Sequence, residues 1–351
     1  MKARDVAVQG VLAGVALVAA FFVWQREPSR APGEVTVEDA QASALDRIRY
    51  DDETRFVELF RDPQDRDTVW VRLGNKPAKP GAETGTTDGG VAQPGLEDAG
   101  TDAGSIATAS PAPVPPPREL RGNDVALKLF SRFAPLRAQR DLGVLDDKKL
   151  DEVGLAKTER GLTLTLDGTP RTFRLATPAS GWGAPYLQRP SDGHVFLLGP
   201  GLLPDLEAAS SRLVDRRLHT FDVDGFDRVV ISTGTTSRAF AASGKPPGAV
   251  QLSPVDAPGA PDDFARNWHD RLWRLTPVEL LGRGEAPPGP APTPAFRVEY
   301  QRGGKAVGEL SMAKTPEGSW YARTEFTPGW VRMGGGLELL AEDAAKLTAP
   351  R

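Results

Sequence analysis

From Val6 to Trp24 the chain reads VAVQGVLAGVALVAAFFVW, an apolar run without charge in which Gln9 is the only strongly polar residue. A helix rises about 1.5 Å per residue and the hydrocarbon core of a bilayer is about 30 Å thick, so such a run spans close to one membrane. It is apolar all round and sits at the amino-terminal end, unlike the striped helix of a globular core. Everything after Gln25 is polar enough to be soluble. The expectation is a tether followed by a long water-exposed body.

Lys2 and Arg4 precede the run and Arg26 and Arg30 follow it. Flanking charge is therefore nearly balanced and does not fix the orientation. A signal-anchor, with the amino terminus in the cytoplasm and the body outside, is the preferred reading. A cleaved signal peptide is the rival. Ala19 and Ala20 are small, but Phe21, Phe22, Val23 and Trp24 follow at once, with no clear A-x-A site after them. The expected location is the cytoplasmic (inner) membrane, single-pass, with the body on the extracytoplasmic, periplasmic side.

The 351 residues carry a formal charge of −4, no cysteine and three histidines, His194, His219 and His269. Absence of cysteine excludes disulfides, thiolate metal sites and cysteine nucleophiles. Mild acidity argues against a nucleic-acid partner, which needs a basic face.

Period-two alternation predicts strands at Leu45 to Tyr50, Arg55 to Phe60 and Thr68 to Leu73. Gly74 to Pro117 is rich in Gly, Ala, Thr, Asp and Pro and ends in PAPVPPP; it reads as a disordered insertion. Asp124 to Arg140 reads as an amphipathic helix capped by Asn123 or Asp124, with Pro135 as a kink or an early stop. Leu150 to Leu155 reads as a turn-like lead-in. A hairpin follows around Asp167-Gly168, then strands at Ala184 to Arg189 and His194 to Leu198, and a second helix at Leu202 to Leu218. Asp227 to Ser232 and Ser237 to Ala242 pair before a Pro/Gly loop. Asp262 to Leu275 is a third helix with Phe264, Trp268, Leu272 and Leu275 on one face. Strands at Ala295 to Tyr300, Ala306 to Met312 and Ser319 to Thr324 precede a closing helix at Leu337 to Leu347.

The fold class is therefore α+β: an N-terminal transmembrane helix, then repeated antiparallel β-meander plus α-helix units, with helices on one face of the sheets. The organisation reads as an anchor at 1–27, a first meander at 34–73, the insertion at 74–117 and a central α+β domain at 118–242. A Pro/Gly loop at 243–261 and a C-terminal α+β region at 262–351 complete it.

One stretch also carries a family likeness. LKLFSRFAPLRAQR is followed by VGLAKTERGLTLTLDGTPRTFRLAT, by Tyr186 in APYLQRPSDGHVFLLG, and by LVDRRLHTFDVDGFDRVVIS with Asp215, Arg216 and Leu218. Upstream, LDRIRYDDETRFVELFRDPQDRDTVWVRLG brings a strand to Trp70. Together these resemble the uncharacterised family catalogued as domain of unknown function 4340. The resemblance implies a single-pass anchored protein with its body outside the cytoplasmic membrane. It also implies protein partners in the cell envelope, among them subunits of ABC-2-type transporters, including gliding-motility export systems. It implies no catalytic residues. The long insertion after Trp70 departs from the family layout, and so does the proline between Ala184 and Tyr186.

Candidate chemistry is thin. His269-Asp270 could belong to a hydrolytic triad, but no G-x-S-x-G elbow supplies a serine. His194, Asp192 and Asp215 could ligate a metal only if folding gathers them, and no H-x-x-x-H or H-E-x-x-H pair exists. Asp222, Asp224 and Asp227 in DVDGFD resemble a calcium loop, but Gly225 and Thr233 stand at the wrong places for an EF-hand. Gly334-Gly335-Gly336 lacks the Lys-Ser/Thr pair of a phosphate loop. Trp182, Trp268, Trp273, Trp320 and Trp330 could stack on sugars, or fill the core at strand and helix-face spacing. No catalytic, cofactor-binding or metal residue is assigned. The leading expectation is a non-enzymatic accessory or scaffold component of an envelope complex. A glycan-binding module is the second reading and a hydrolase the third.

Overall fold

The computed structural model describes residues 33–77, 114–177, 183–244 and 250–350. The apolar run from Val6 to Trp24 lies outside them, as does most of the insertion. No helix among the described residues is long and apolar enough to cross a membrane. Within them the fold is mostly β, with three antiparallel sheets and six helices.

The strands run β1 Val35–Glu38, β2 Leu45–Asp51, β3 Arg55–Arg61, β4 Val69–Asn75, β5 Arg118–Arg121, β6 Leu136–Ala138, β7 Arg140–Val144, β8 Gly161–Leu166, β9 Thr169–Ala176, β10 Tyr186–Gln188 and β11 His194–Leu197. They continue with β12 Arg228–Thr233, β13 Thr236–Ser243, β14 Gln251–Pro254, β15 Pro277–Leu280, β16 Thr293–Arg302, β17 Lys305–Lys314, β18 Trp320–Thr324 and β19 Val331–Met333. The helices are α1 Asp124–Phe133, α2 Asp147–Glu152, α3 Pro204–Glu207, α4 Ala209–Arg212, α5 Asp263–Trp273 and α6 Glu338–Thr348.

The meanders do not stand as separate units. A nine-stranded sheet takes the order β5-β4-β3-β2-β8-β9-β10-β11-β7, and an eight-stranded sheet the order β14-β13-β12-β16-β17-β18-β19-β15. β1 and β6 form a third, two-stranded sheet. The region expected at 118–242 is thus divided: β7–β11 belong to the first large sheet, β12 and β13 to the second.

Several elements differ from the sequence expectation. α1 ends at Phe133, because Pro135 has no N–H to give, and residues 136–144 form β6 and β7 instead of the last helical turns. Asn123 caps α1 by accepting from the N–H groups of Val125 and Ala126. The turn-like lead-in is the short helix α2. The helix expected over 202–218 is only α3 and α4, broken where Ala208 leaves the helical region. β4 extends two residues into the expected insertion, through Gly74 and Asn75. β14 forms inside the expected Pro/Gly loop.

Each large sheet buries one face along its length, and at the β7–β11 end the first sheet buries part of the other as well, where Leu155, Ala176 and Val195 form a small third cluster with Leu150 of α2. Ile48, Leu59, Val71 and Leu164 pack with Leu129, Phe130 and Phe133 of α1 in the first core. Val229, Ile231, Val298 and Leu310 pack with Trp268, Leu272 and Ala344 of α5 and α6 in the second. On the opposite face of the first sheet a row of register partners alternates in charge: Arg49, Glu58, Arg72 and Glu119 across β2 to β5. Glu58 lies 2.6 Å from both Arg47 and Arg72, and Arg72 lies 2.5 Å from Glu119. Opposite charges facing across strands favour this register.

The two sheets meet at their edge strands. The Arg283 N–H donates to the Glu119 carbonyl at 2.8 Å. Arg118 of β5 pairs with Glu279 of β15 at 2.9 Å and with Glu285 at 2.8 Å, and the Arg283 guanidinium lies 4.8 Å from the Trp70 ring.

One glycine marks a tight crossing. Gly308 on β17 faces Tyr300, and a side chain there would collide with the Phe221 ring and the Glu325 carboxyl. Gly308→Ala is expected to cost about 1–3 kcal/mol through overpacking. A lowered urea midpoint at unchanged slope checks it.

Candidate functional site

The early stop of α1 shapes a cleft. Pro135 turns the chain into β6, which pairs with β1 through Val35 with Ala138 and Thr36 with Arg137. This ribbon, the end of α1 and the loop around Gly199 to Leu202 enclose a cleft of about 1360 Å³. Its charged walls are Glu34, Asp39, Arg132 and Arg137. Arg137 lies 3.6 Å from Glu34. Arg132 is held at 3.0 Å by Asp205, whose other oxygen takes Arg212 at 2.9 Å. Asp205 is buried, so two arginines offset the cost of removing its charge from water. Across the ribbon, Arg189 donates to the Val37 carbonyl at 2.5 Å and pairs with Asp192 at 2.6 Å. The Ser131 hydroxyl in the cleft donates to the Lys128 carbonyl at 2.8 Å, within its own helix. The cleft is wide and mixed in charge, and Glu34, Arg132 and Arg137 in its walls are held by ion pairs. Such a surface is suited to contact with a polar polypeptide segment.

A second polar cluster lies beneath the segment that links the two large sheets. His219 Nδ1 sits 3.1 Å from Glu325, stacks on Trp273 at 5.1 Å and meets the edge of Tyr300 at 5.1 Å. Phe221 and Phe226 complete an aromatic shell. His269 Nε2 and the Tyr300 hydroxyl are buried there without a hydrogen-bond partner. Burial pushes the Glu325 carboxyl up, but hydrogen bonds from His219 and the Glu309 N–H outweigh it and leave it below its usual value. Nothing local in the sequence pairs His219 with Glu325; the two are separated by 106 positions.

The residues weighed from the sequence fall apart in space. His269 is buried on α5, while Asp270 pairs with Arg274 at 2.9 Å and not with the histidine. His194 pairs with Asp141 at 3.1 Å, Asp192 with Arg189, and Asp215 with Arg217 at 2.7 Å, so these three are not gathered. Among the described residues no group of three His, Asp or Glu side chains is placed to hold a metal ion. In DVDGFD the Asp222 carbonyl accepts from Gly225 at 2.8 Å, and the Asp227 carboxylate accepts from the Gly303 N–H at 2.7 Å; both close turns. Gly336 has φ 79° and leads into α6. Trp182 lies outside the described residues. Trp268 and Trp320 are core, Trp273 belongs to the aromatic shell, and Trp330 borders a hollow on the second large sheet.

Comparison with family models, with curated protein sequences and with solved structures finds no match to this chain.

Proposed function

We propose that this chain is a membrane-tethered accessory protein that works by protein contact on the outer side of the cytoplasmic membrane, without turnover. The observation that carries the reading is the position of the cleft. Glu34 and Thr36, at the first residues of the body, form part of its wall. Glu34 follows Trp24 by ten residues. Extended chain reaches about 3.3–3.6 Å per residue, so a lipid-held Trp24 keeps the cleft within roughly 35 Å of the bilayer. That distance is within reach of short extracytoplasmic loops of an integral membrane partner. An ABC-2-type transporter subunit is the partner that the sequence resemblance to domain of unknown function 4340 implies.

A photo-cross-linking amino acid at Gln41, in the cleft, is expected to capture an integral membrane protein from intact cells. The same label at Lys305, on the β16–β17 hairpin of the second large sheet and outside the cleft, is expected not to. Capture of the same proteins from both positions, or of none from Gln41, would overturn the docking reading. Recovery of the intact chain in soluble cytosol would overturn the tether.

The glycan reading retains one observation, the half-exposed Trp330 beside a hollow. The hydrolase reading loses its His269-Asp270 pair.

A further inference from the structure

The second large sheet carries helices on one face only; its other face holds a hollow of about 840 Å³. Across this face runs one row of register partners on four adjacent strands. Ser232 of β12 pairs with Arg297 of β16, Arg297 with Ser311 of β17, and Ser311 with Arg323 of β18. All four border the hollow, and so does Trp330. Neighbouring strands lie about 4.8 Å apart, so the two arginine stems stand about 10 Å apart with a hydroxyl between them.

The two carboxylate residues that border the hollow are already engaged. Glu309 pairs with Arg297, and Glu325 accepts from His219 and from the Glu309 N–H at 3.0 Å. The side chains of Ser232, Ser311, Arg323 and Trp330 make no hydrogen bond, ion pair or ring contact among the described residues. What remains unengaged is one guanidinium, one indole N–H and two hydroxyls. The hollow is therefore rich in free donors and has no free carboxylate. A guanidinium fork matches a carboxylate with two parallel hydrogen bonds. Hydroxyls both give and take hydrogen bonds, which suits a ligand with hydroxyls beside its anionic group. An indole ring supplies broad apolar contact together with a polar N–H.

We infer that this hollow is a binding site for a carboxylated saccharide, with Arg323 on the carboxylate, Ser232 and Ser311 on ring hydroxyls, and Trp330 against the sugar face. The site is separate from the docking cleft, and a purified-protein titration tests it whatever the cross-linking experiment returns.

The test is calorimetric titration of the full chain in detergent with trigalacturonate, with neutral maltotriose and tri-glutamate as comparison ligands. Trigalacturonate is expected to bind at least tenfold more tightly than either. Arg323→Gln is expected to weaken it at least tenfold with no change in the unfolding midpoint, since the side chain is exposed. Glu309→Gln frees Arg297 in the same row and is expected to tighten binding several-fold. That gain cannot be mimicked by a misfolded variant. Equal binding of tri-glutamate would overturn the saccharide assignment. Absence of trigalacturonate binding, or binding unaltered by Arg323→Gln, would overturn the site.

Discussion

Trp268→Ala is expected to lower the unfolding free energy by about 3–5 kcal/mol, the range for removing a buried tryptophan. Trp268 is fully buried and joins three elements. It sits on α5, its ring meets Phe296 of β16 edge-on at 5.6 Å, and its Nε1 donates to the Leu340 carbonyl of α6 at 2.8 Å. Truncation empties the space between both helices and the sheet, where neighbours on three sides cannot collapse together. Trp268→Phe keeps most of that packing and gives up the indole hydrogen bond, so its expected cost is about 1–2 kcal/mol. Urea titrations separate the two outcomes by midpoint at a common slope. A loss below about 1 kcal/mol for the alanine variant would mean that α5 and α6 are not integral to the second core.

The strands that span a core were legible because one buried face imposes alternation on their side chains. β2, β3, β8, β12, β16 and β17 all lie where period two predicts them. The Asp167-Gly168 hairpin was legible for a different reason: both residues take positive φ, 46° and 77°, which few residue pairs tolerate. Among the three- and four-residue strands only β10 and β11, which flank the Ser191-Asp192-Gly193 turn, were legible; β1, β5, β6, β14, β15 and β19 were not. They are too short for alternation to register, and pairing rather than propensity fixes them. The merging of meanders into two wide sheets was hidden as well. β2 pairs with β8 across the insertion and β12 with β16 across α5, and no local pattern encodes such partners.

On α5 the buried face was misread by one step. Phe264 is 43% exposed, and Ala265 and His269 turn inward with Trp268 and Leu272. Hydrophobicity places the phenylalanine inside and does not decide between a surface and a helix-packing histidine; the fold takes the second. The candidate sites suffer from the same limit. Arg297, Ser311 and Arg323 look like ordinary solvent-facing positions in their own strands. Only the register sets them in one row. The cleft depends on the helix stop at Pro135, which the sequence signalled, and on the β1–β6 ribbon, which it did not.

His269 is expected to make the fold sensitive to mild acid. In an unfolded chain it titrates near 6.5, while burial pushes it down to about 4 in the folded protein. The nearby Asp270 charge opposes that shift and His219 adds to it, but burial dominates. Between those two values the unfolded chain binds a proton that the folded chain refuses. Stability is therefore complete above about pH 6.5, declines as the pH falls, and levels off near pH 4, for a loss of up to about 3 kcal/mol. The carboxylates Asp192 and Glu338 are held down to about 2, so their protonation acts in a more acidic range. His269→Leu removes the titrating group at similar volume. Because Nε2 has no partner in the fold, the change forfeits no hydrogen bond from that atom. Urea midpoints at pH 7, 5.5 and 4.5 should fall in the native chain and stay nearly level in the variant, which should be the more stable of the two at pH 4.5. An equal decline in both chains would assign the acid sensitivity to other groups and leave His269 as a passive filler of the aromatic shell.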